Sequence, residues 1–194
     1  MAEDDFRFSL GAPALNFVAT VASRGSEPRE RIPDAAAFGR WLRASGFPVG
    51  PADPTAAEYR DALALREAIS RTGRALLRGE HPARADIEII NAAAARKERY
   101  NSQFNLLTLS RVTSPPRHPV RAALAEIAES AIDVFSDERD RLTLCNDERC
   151  AALMLSQSRG PKRRWCSMET CGNRNKVASY RSRTGKQTSS TVQR

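Results

Sequence analysis

Cys145-Asn146-Asp147-Glu148-Arg149-Cys150, then fifteen residues, then Cys166-Ser167-Met168-Glu169-Thr170-Cys171: this stretch holds every cysteine of the 194-residue chain, in a C-x4-C-x15-C-x4-C array. Thiols gathered into two short-range pairs are the usual ligand set of a tetrahedral zinc cage. The opening Met1-Ala2-Glu3-Asp4-Asp5 is acidic and lacks the basic-then-apolar pattern of a secretory signal, which predicts a cytosolic protein with reduced thiols. In that compartment metal is favoured over disulfides or redox-active thiols. The array therefore predicts one structural Zn2+ held by Cys145, Cys150, Cys166 and Cys171.

Charge divides the chain at the same place. Residues 1–140 carry 19 Lys and Arg against 20 Asp and Glu, whereas residues 141–194 carry 12 against 3. The net of +8 belongs wholly to the cysteine segment. A field of one sign confined to a small unit attracts polyanions through counterion release and steering. The basic side chains interleave with the cysteines, which argues against a merely solvating tail. Arg159, Lys162, Arg163, Arg164, Lys176, Arg181 and Arg183 are the candidate nucleic-acid contacts. A guanidinium presents five donors suited to phosphate oxygens and guanine edges.

Upstream, the pattern is helical. Leu15, Val18, Ala19 and Ala22 recur at helical spacing after Pro13. Asp34 is placed to cap a helix through Ser45 with Phe38, Trp41 and Leu42 on one face. Thr55-Ala56-Ala57-Glu58 is a capping box opening a long helix that runs to Gly79. A further helix is predicted from about Ala85 to Tyr100, with Ile87, Ile90, Asn91 and Ala94 inward, and another over 119–136. Phe6–Leu10 and Phe104–Leu109 read as strands that pair with each other. Asn16, Arg66 and Asn91 interrupt apolar stretches and are expected to be buried hydrogen-bonding residues.

From Asp140 onward large apolar residues are too few for an independent core, so metal coordination has to supply the missing stability. Leu153–Ser156 and Lys162–Trp165 flank Gly160-Pro161 and read as a hairpin between the two cysteine pairs. Asn173–Arg183 has helical character. Knuckle, hairpin, knuckle, helix is a treble-clef-like order. Trp165 is expected to pack beside the metal, and residues 184–194 have no periodicity and are expected to be disordered.

His81 and His118 each stand beside a proline in a predicted loop. Neither belongs to a triad, an HExxH pair or a phosphate-binding glycine loop. No acid, base or nucleophile set is visible, so an enzyme is not expected.

Trp165-Cys166-Ser167-Met168, Cys171-Gly172-Asn173-Arg174, Lys176-Val177 and Tyr180-Arg181-Ser182-Arg183 closely resemble the CGNR-type zinc finger of bacterial proteins. Leu15–Thr20, Trp41-Leu42, Ala64–Ile69 and Ala131–Asp133 resemble the helical ABATE domain that precedes that finger. The resemblance implies an ABATE-like helical domain over 1–140, a CGNR-type finger over 141–183 and a tail over 184–194. It also implies a stress-induced bacterial transcription regulator. Two pairs of positions depart from the family pattern: Asn16 and Ala19 stand where an aspartate and an asparagine are usual, and Met154 and Ser156 where a phenylalanine and an aspartate are usual. Asn173 and Arg174 of the motif either support the metal ligands or contact nucleic acid.

The expected fold is mainly α with a small β-sheet, followed by a small treble-clef-like zinc finger. The expected function is that of a cytoplasmic, zinc-dependent regulator binding duplex DNA through the basic finger. Its helical domain would form a homodimer or sense a small-molecule effector, with no membrane involved. The alternatives are an RNA- or ribosome-associated zinc module, or a protein-interaction adaptor for an acidic partner.

Overall fold

Local start signals decide where the helices begin. In the computed structural model, which describes residues 6–96, 101–114, 116–156 and 163–178, Asp34 Oδ1 accepts the Ala37 N–H at 2.7 Å. That bond satisfies an orphan donor and opens α2 (Ala35–Ala44). Thr55 and Glu58 form the full capping box of α3 (Ala56–Leu77), with Thr55 Oγ1 accepting from Glu58 N and Glu58 Oε2 from Thr55 N. Pro13 opens α1 (Pro13–Val18) and Pro119 opens α5 (Pro119–Ser136), both where a missing N–H costs nothing. α4 (Arg84–Ala94) lies between α3 and α5 and packs on both.

The strands form three antiparallel two-stranded ribbons. β1 (Val21–Ala22) pairs with β2 (Arg29–Glu30), and β3 (Asn101–Phe104) with β4 (Arg111–Ser114). β5 (Leu142–Leu144) pairs with β6 (Leu153–Leu155), Leu142 opposite Leu155.

Four expectations change. Phe6–Leu10 is not a ladder strand: Asn16 binds its polar groups, accepting from Leu10 N at 3.0 Å and donating to Phe8 O at 3.3 Å. One backbone bond, Leu155 N to Leu10 O at 2.9 Å, ties it to β6. The run Phe104–Leu109 is strand only at its first residue. Asn105 Oδ1 accepts from Leu107 N and Thr108 N at 2.9 and 3.0 Å, so its side chain mimics a turn and bends the chain into β4. α4 ends at Ala94; its inward stripe is Asp86, Ile90 and Ala94, one every four residues, so Ile87 and Asn91 face solvent. Asp86 is buried against Arg71, with Nη2 to Oδ1 at 2.6 Å. Finally, β6 pairs with β5 across the loop that carries the first cysteine pair; of the run expected to face it, Lys162 lies outside the described residues and 163–165 form no ladder with it.

The core centres on Trp41, whose ring lies 5.0 Å from Phe17 and 6.4 Å from a stacked Phe38. Leu142, Leu153, Met154, Leu155 and the cysteines belong to the same apolar cluster as Leu65, Ile69 and Ile127. The absence of a side chain at Gly73 makes this joint: a Cβ there would stand 2.9 Å from Leu153 Cδ1. The cysteine-bearing segment thus packs into the helical core.

Candidate metal centre

Each cysteine pair is shaped by its own turn. Cys145 follows β5 and donates its N–H to Ala152 O at 2.8 Å, closing the base of the first turn. Inside it Asp147 organises the backbone: its carbonyl accepts from Cys150 N at 2.8 Å and Ala151 N at 3.0 Å, and its Oδ1 accepts from Arg149 N at 3.2 Å. Ala151 completes the reversal with φ 46°, a left-handed conformation that few non-glycine residues adopt. The second turn opens at Ser167, whose Oγ accepts from Thr170 N. It winds through Met168–Gly172 and continues as α6 (173–178). Asn146 N donates to Arg164 O at 2.8 Å and joins the two turns.

This folding brings the four sulfurs together. All four Sγ atoms are buried and lie within 4.8 Å of one another, with Cys150–Cys166 at 3.5 Å and Cys166–Cys171 at 3.4 Å. Tetrahedral zinc with Zn–S near 2.3 Å needs S···S separations of about 3.8 Å, so the spacing fits one ion. Without a cation the charges cannot coexist. The thiols of Cys150 and Cys166 donate to Cys145 and push its pKa down to about 2. The same bond to Cys145 pushes Cys150 up to about 11, and bonds with Cys145 and Cys150 push Cys166 up as well. A divalent ion reverses that logic by stabilising every thiolate at once. The four cysteines form the site for one zinc ion.

A residue far from the array in sequence completes it. Arg7 Nη1 donates to Cys166 Sγ at 2.9 Å, and its Nη2 reaches Thr170 Oγ1 at 3.4 Å. Burial opposes the Arg7 charge, but the sulfurs of Cys166, Cys150 and Cys171 outweigh it and raise the Arg7 pKa. A zinc tetrathiolate carries two net negative charges, and Arg7 offsets part of them. No local sequence signal marks it. Asp147, 3% exposed, accepts from Arg174 Nη1 at 3.1 Å and ties the first turn to α6. Its place between two cysteines was the available hint.

The basic residues take up different positions. Arg163 is spent inward: its guanidinium donates to Ser9 O at 2.6 Å, Trp165 O at 2.9 Å and Cys166 O. Arg164 is exposed, with its guanidinium carbon 5.3 Å from the Trp165 ring centre. Trp165 packs beside the site against Gly172. Lys176 is exposed, and Asn173 donates to Glu169 O at 3.2 Å. Arg159, Lys162, Arg181, Arg183 and the expected tail over 184–194 lie outside the described residues. His81 and His118 are exposed. No helix among the described residues is long and apolar enough to cross a membrane.

Two family models match the chain. Residues 11–138 match ABATE, described as "Putative stress-induced transcription regulator", and residues 141–184 match the CGNR zinc finger. No curated protein matches.

Proposed function

Because the chain belongs to the ABATE family and ends in a CGNR zinc finger, we propose that it is a zinc-dependent regulator that binds duplex DNA, and not an enzyme. The observation that carries this reading is the coincidence of the basic excess with the cysteine cluster along the sequence. The segment around the four cysteines holds the whole excess of Lys and Arg, and its four thiols gather into one cluster. Arg164 and Lys176, both exposed, are the described residues on which phosphate contacts rest. Base reading falls to Arg181 and Arg183.

Self-association is the second half of the reading. The tip of the β3–β4 ribbon exposes Phe104, Leu106, Leu107 and Leu109, with Leu107 94% accessible. No charged residue interrupts positions 101–110. An apolar patch of this kind on a two-stranded ribbon suits burial against a second copy.

The test is binding of the zinc-loaded chain to duplex DNA, single-stranded RNA and heparin across a salt series. A regulator that grips phosphates shows log K falling linearly with log salt, each duplex phosphate contact adding a slope of about −0.9. It also prefers duplex DNA over RNA at matched salt. Equal or stronger binding to RNA overturns the DNA reading in favour of an RNA-associated module.

A further inference from the structure

An apolar groove of about 190 Å3 lies between α3, α4 and α5. Its floor is Leu65 and Leu124, both buried. Ala64, Ala92 and Ala93 leave it open, because none of them has a side chain beyond Cβ. Arg96 and Arg121, both exposed, also line it. Arg96 follows α4 shortly before the chain enters β3, and Arg121 lies in the first turn of α5, shortly after it leaves β4. The groove therefore opens at the foot of the β3–β4 ribbon.

The ribbon's tip is built to hold its apolar side chains outward. Asn105 N donates to Ser110 O at 2.8 Å and Asn105 O accepts from Leu109 N at 2.9 Å, which closes the turn. Leu109 sits at φ 51°, a left-handed conformation that glycine adopts freely and a bulky residue does not. A leucine there, exposed to solvent, gains nothing within its own chain. Phe104, Leu106 and Leu107 are exposed as well, so the tip does not fold back onto its own groove. With four residues in each strand, at about 3.3 Å per residue, the tip stands roughly 13 Å from the foot of the ribbon.

Size decides how two copies use these surfaces. Phe104, Leu106, Leu107, Leu109 and Val112 together offer on the order of 500 Å2 of apolar surface. A tip pressed on a tip buries no more than that per copy, short of the about 800 Å2 per partner of a standard stable interface. A tip seated in the other copy's groove buries the tip and the groove of each, which closes the gap. An apolar cavity of about 150 Å3 accepts a benzene-sized group, so a groove of about 190 Å3 accepts one leucine or phenylalanine side chain. Insertion strands no charge, because positions 101–110 hold none. Around the apolar floor, Arg96 pairs with Asp61 at 3.2 Å and Arg121 is exposed, which gives the polar rim expected of an interface.

We propose that the chain forms a two-fold dimer in which the ribbon tip of each copy, led by Leu107, seats in the groove between α3, α4 and α5 of the other. A two-fold axis that sets the ribbons side by side and antiparallel brings each tip to the foot of its neighbour, where the groove opens. The contact is reciprocal, so tip and groove are each used twice. The inference rests on the self-association reading above and adds the receiving surface to it.

The experiment follows the zinc-loaded full chain, free of DNA, by sedimentation over a concentration series. The parent chain should dimerise. Leu107→Asp at the tip and Ala92→Gln in the groove, both at exposed positions, should each weaken the dimer about tenfold or more while helicity and zinc content stay unchanged. Ala64→Gln on α3 provides a second groove variant. Mixing the tip and groove variants is the decisive step. In a mixed pair the intact tip of the Ala92→Gln chain meets the intact groove of the Leu107→Asp chain. One of the two seats is restored, and the mixture should dimerise more tightly than either variant alone. A parent dimer that both groove variants leave untouched, or variants that show no rescue on mixing, overturns the groove and leaves self-association standing. A parent chain that stays monomeric up to about millimolar concentration overturns both. Binding of anilinonaphthalene sulfonate to the parent dimer at one site per chain, lost in Ala92→Gln, also overturns the seat, because the groove is then open to a small ligand.

Discussion

Arg7 and Cys166 stand 159 positions apart in the sequence and meet at 2.9 Å, Nη1 to Sγ. An N–H donor to a zinc thiolate lowers the sulfur's charge density and orients it, and groups of this kind tune metal affinity. Arg7→Ala should therefore speed zinc loss to a competing chelator and weaken affinity by roughly tenfold or more. Arg7→Lys keeps the charge but not the fork and should recover part of the loss. Zinc retention unchanged in both variants would show that the contact is incidental.

The acid side of stability rests on a different network. Arg24 donates to both oxygens of Glu67 at 2.8 Å, and Arg66 Nε reaches Glu67 at 3.0 Å while its own fork grips Glu30. Burial alone would raise the Glu67 pKa, but the bonds and charges of Arg24 and Arg66 outweigh it and lower it. The folded-state pKa is below the unfolded one, so the unfolded chain binds the extra proton first. The contribution is present above the ordinary glutamate pKa of about 4.3 and is lost as pH falls through the folded value. Melting temperature followed from neutral pH downward should drop more steeply below about pH 4 for the parent chain than for Glu67→Gln. Parallel profiles refute this.

How much of this was legible in the sequence depends on the range of each interaction. Asp34, Thr55 and Glu58 act within one helical turn, so their caps could be read directly, as could the ligand set of four cysteines. The partner of β6 could not. Leu153–Leu155 fits either neighbour by composition, and the fold pairs it with β5 across the loop that carries Cys145 and Cys150. Phe104–Leu109 misled because apolar content outweighed one asparagine whose side chain builds a turn. In α4 the stripe was set by Asp86, a carboxylate that is buried only because Arg71 of α3 reaches it. Arg7 had no signal at all, since its role depends on the fold that brings the N-terminal segment over the metal turns.

Removing zinc tests how deeply the finger is joined to the helices. Met154 is fully buried, and Leu153 and Leu155 nearly so, in the core shared with α1 and α3. A chelator should release the two turns, Cys145–Cys150 and Cys166–Cys171, while amides of Leu153–Leu155 stay protected from exchange with the helices. Burial of each such side chain is worth about 1.5–3 kcal/mol, enough to hold β6 without the metal. For the same reason a fragment ending near Asp140 should stay helical but melt well below the full chain, and it should lose affinity for nucleic acid. If β6 exchanges as fast as the metal turns after chelation, the shared core does not survive without zinc.

Three arginines near the metal separate support from recognition. Arg163 donates to three backbone carbonyls, those of Ser9, Trp165 and Cys166, so its charge is turned away from any partner. Arg174 pairs with Asp147, which is almost wholly buried and organises the first turn. Arg164 lies exposed beside Trp165, with its donors available to phosphate. Arg163→Ala strands carbonyls, and Arg174→Ala strands a buried carboxylate. Each should destabilise the folded chain by about 1–3 kcal/mol and hasten zinc loss. Arg164→Ala should leave melting and zinc content unchanged, weaken binding to all duplex sequences alike, and make the salt slope less steep by about one contact. The decisive comparison is Arg163→Ala against Arg164→Ala in the same melting and salt-titration assays. If Arg163→Ala is stable and loses only DNA affinity, the inward bonds are not what holds the second turn, and Arg163 joins the phosphate contacts.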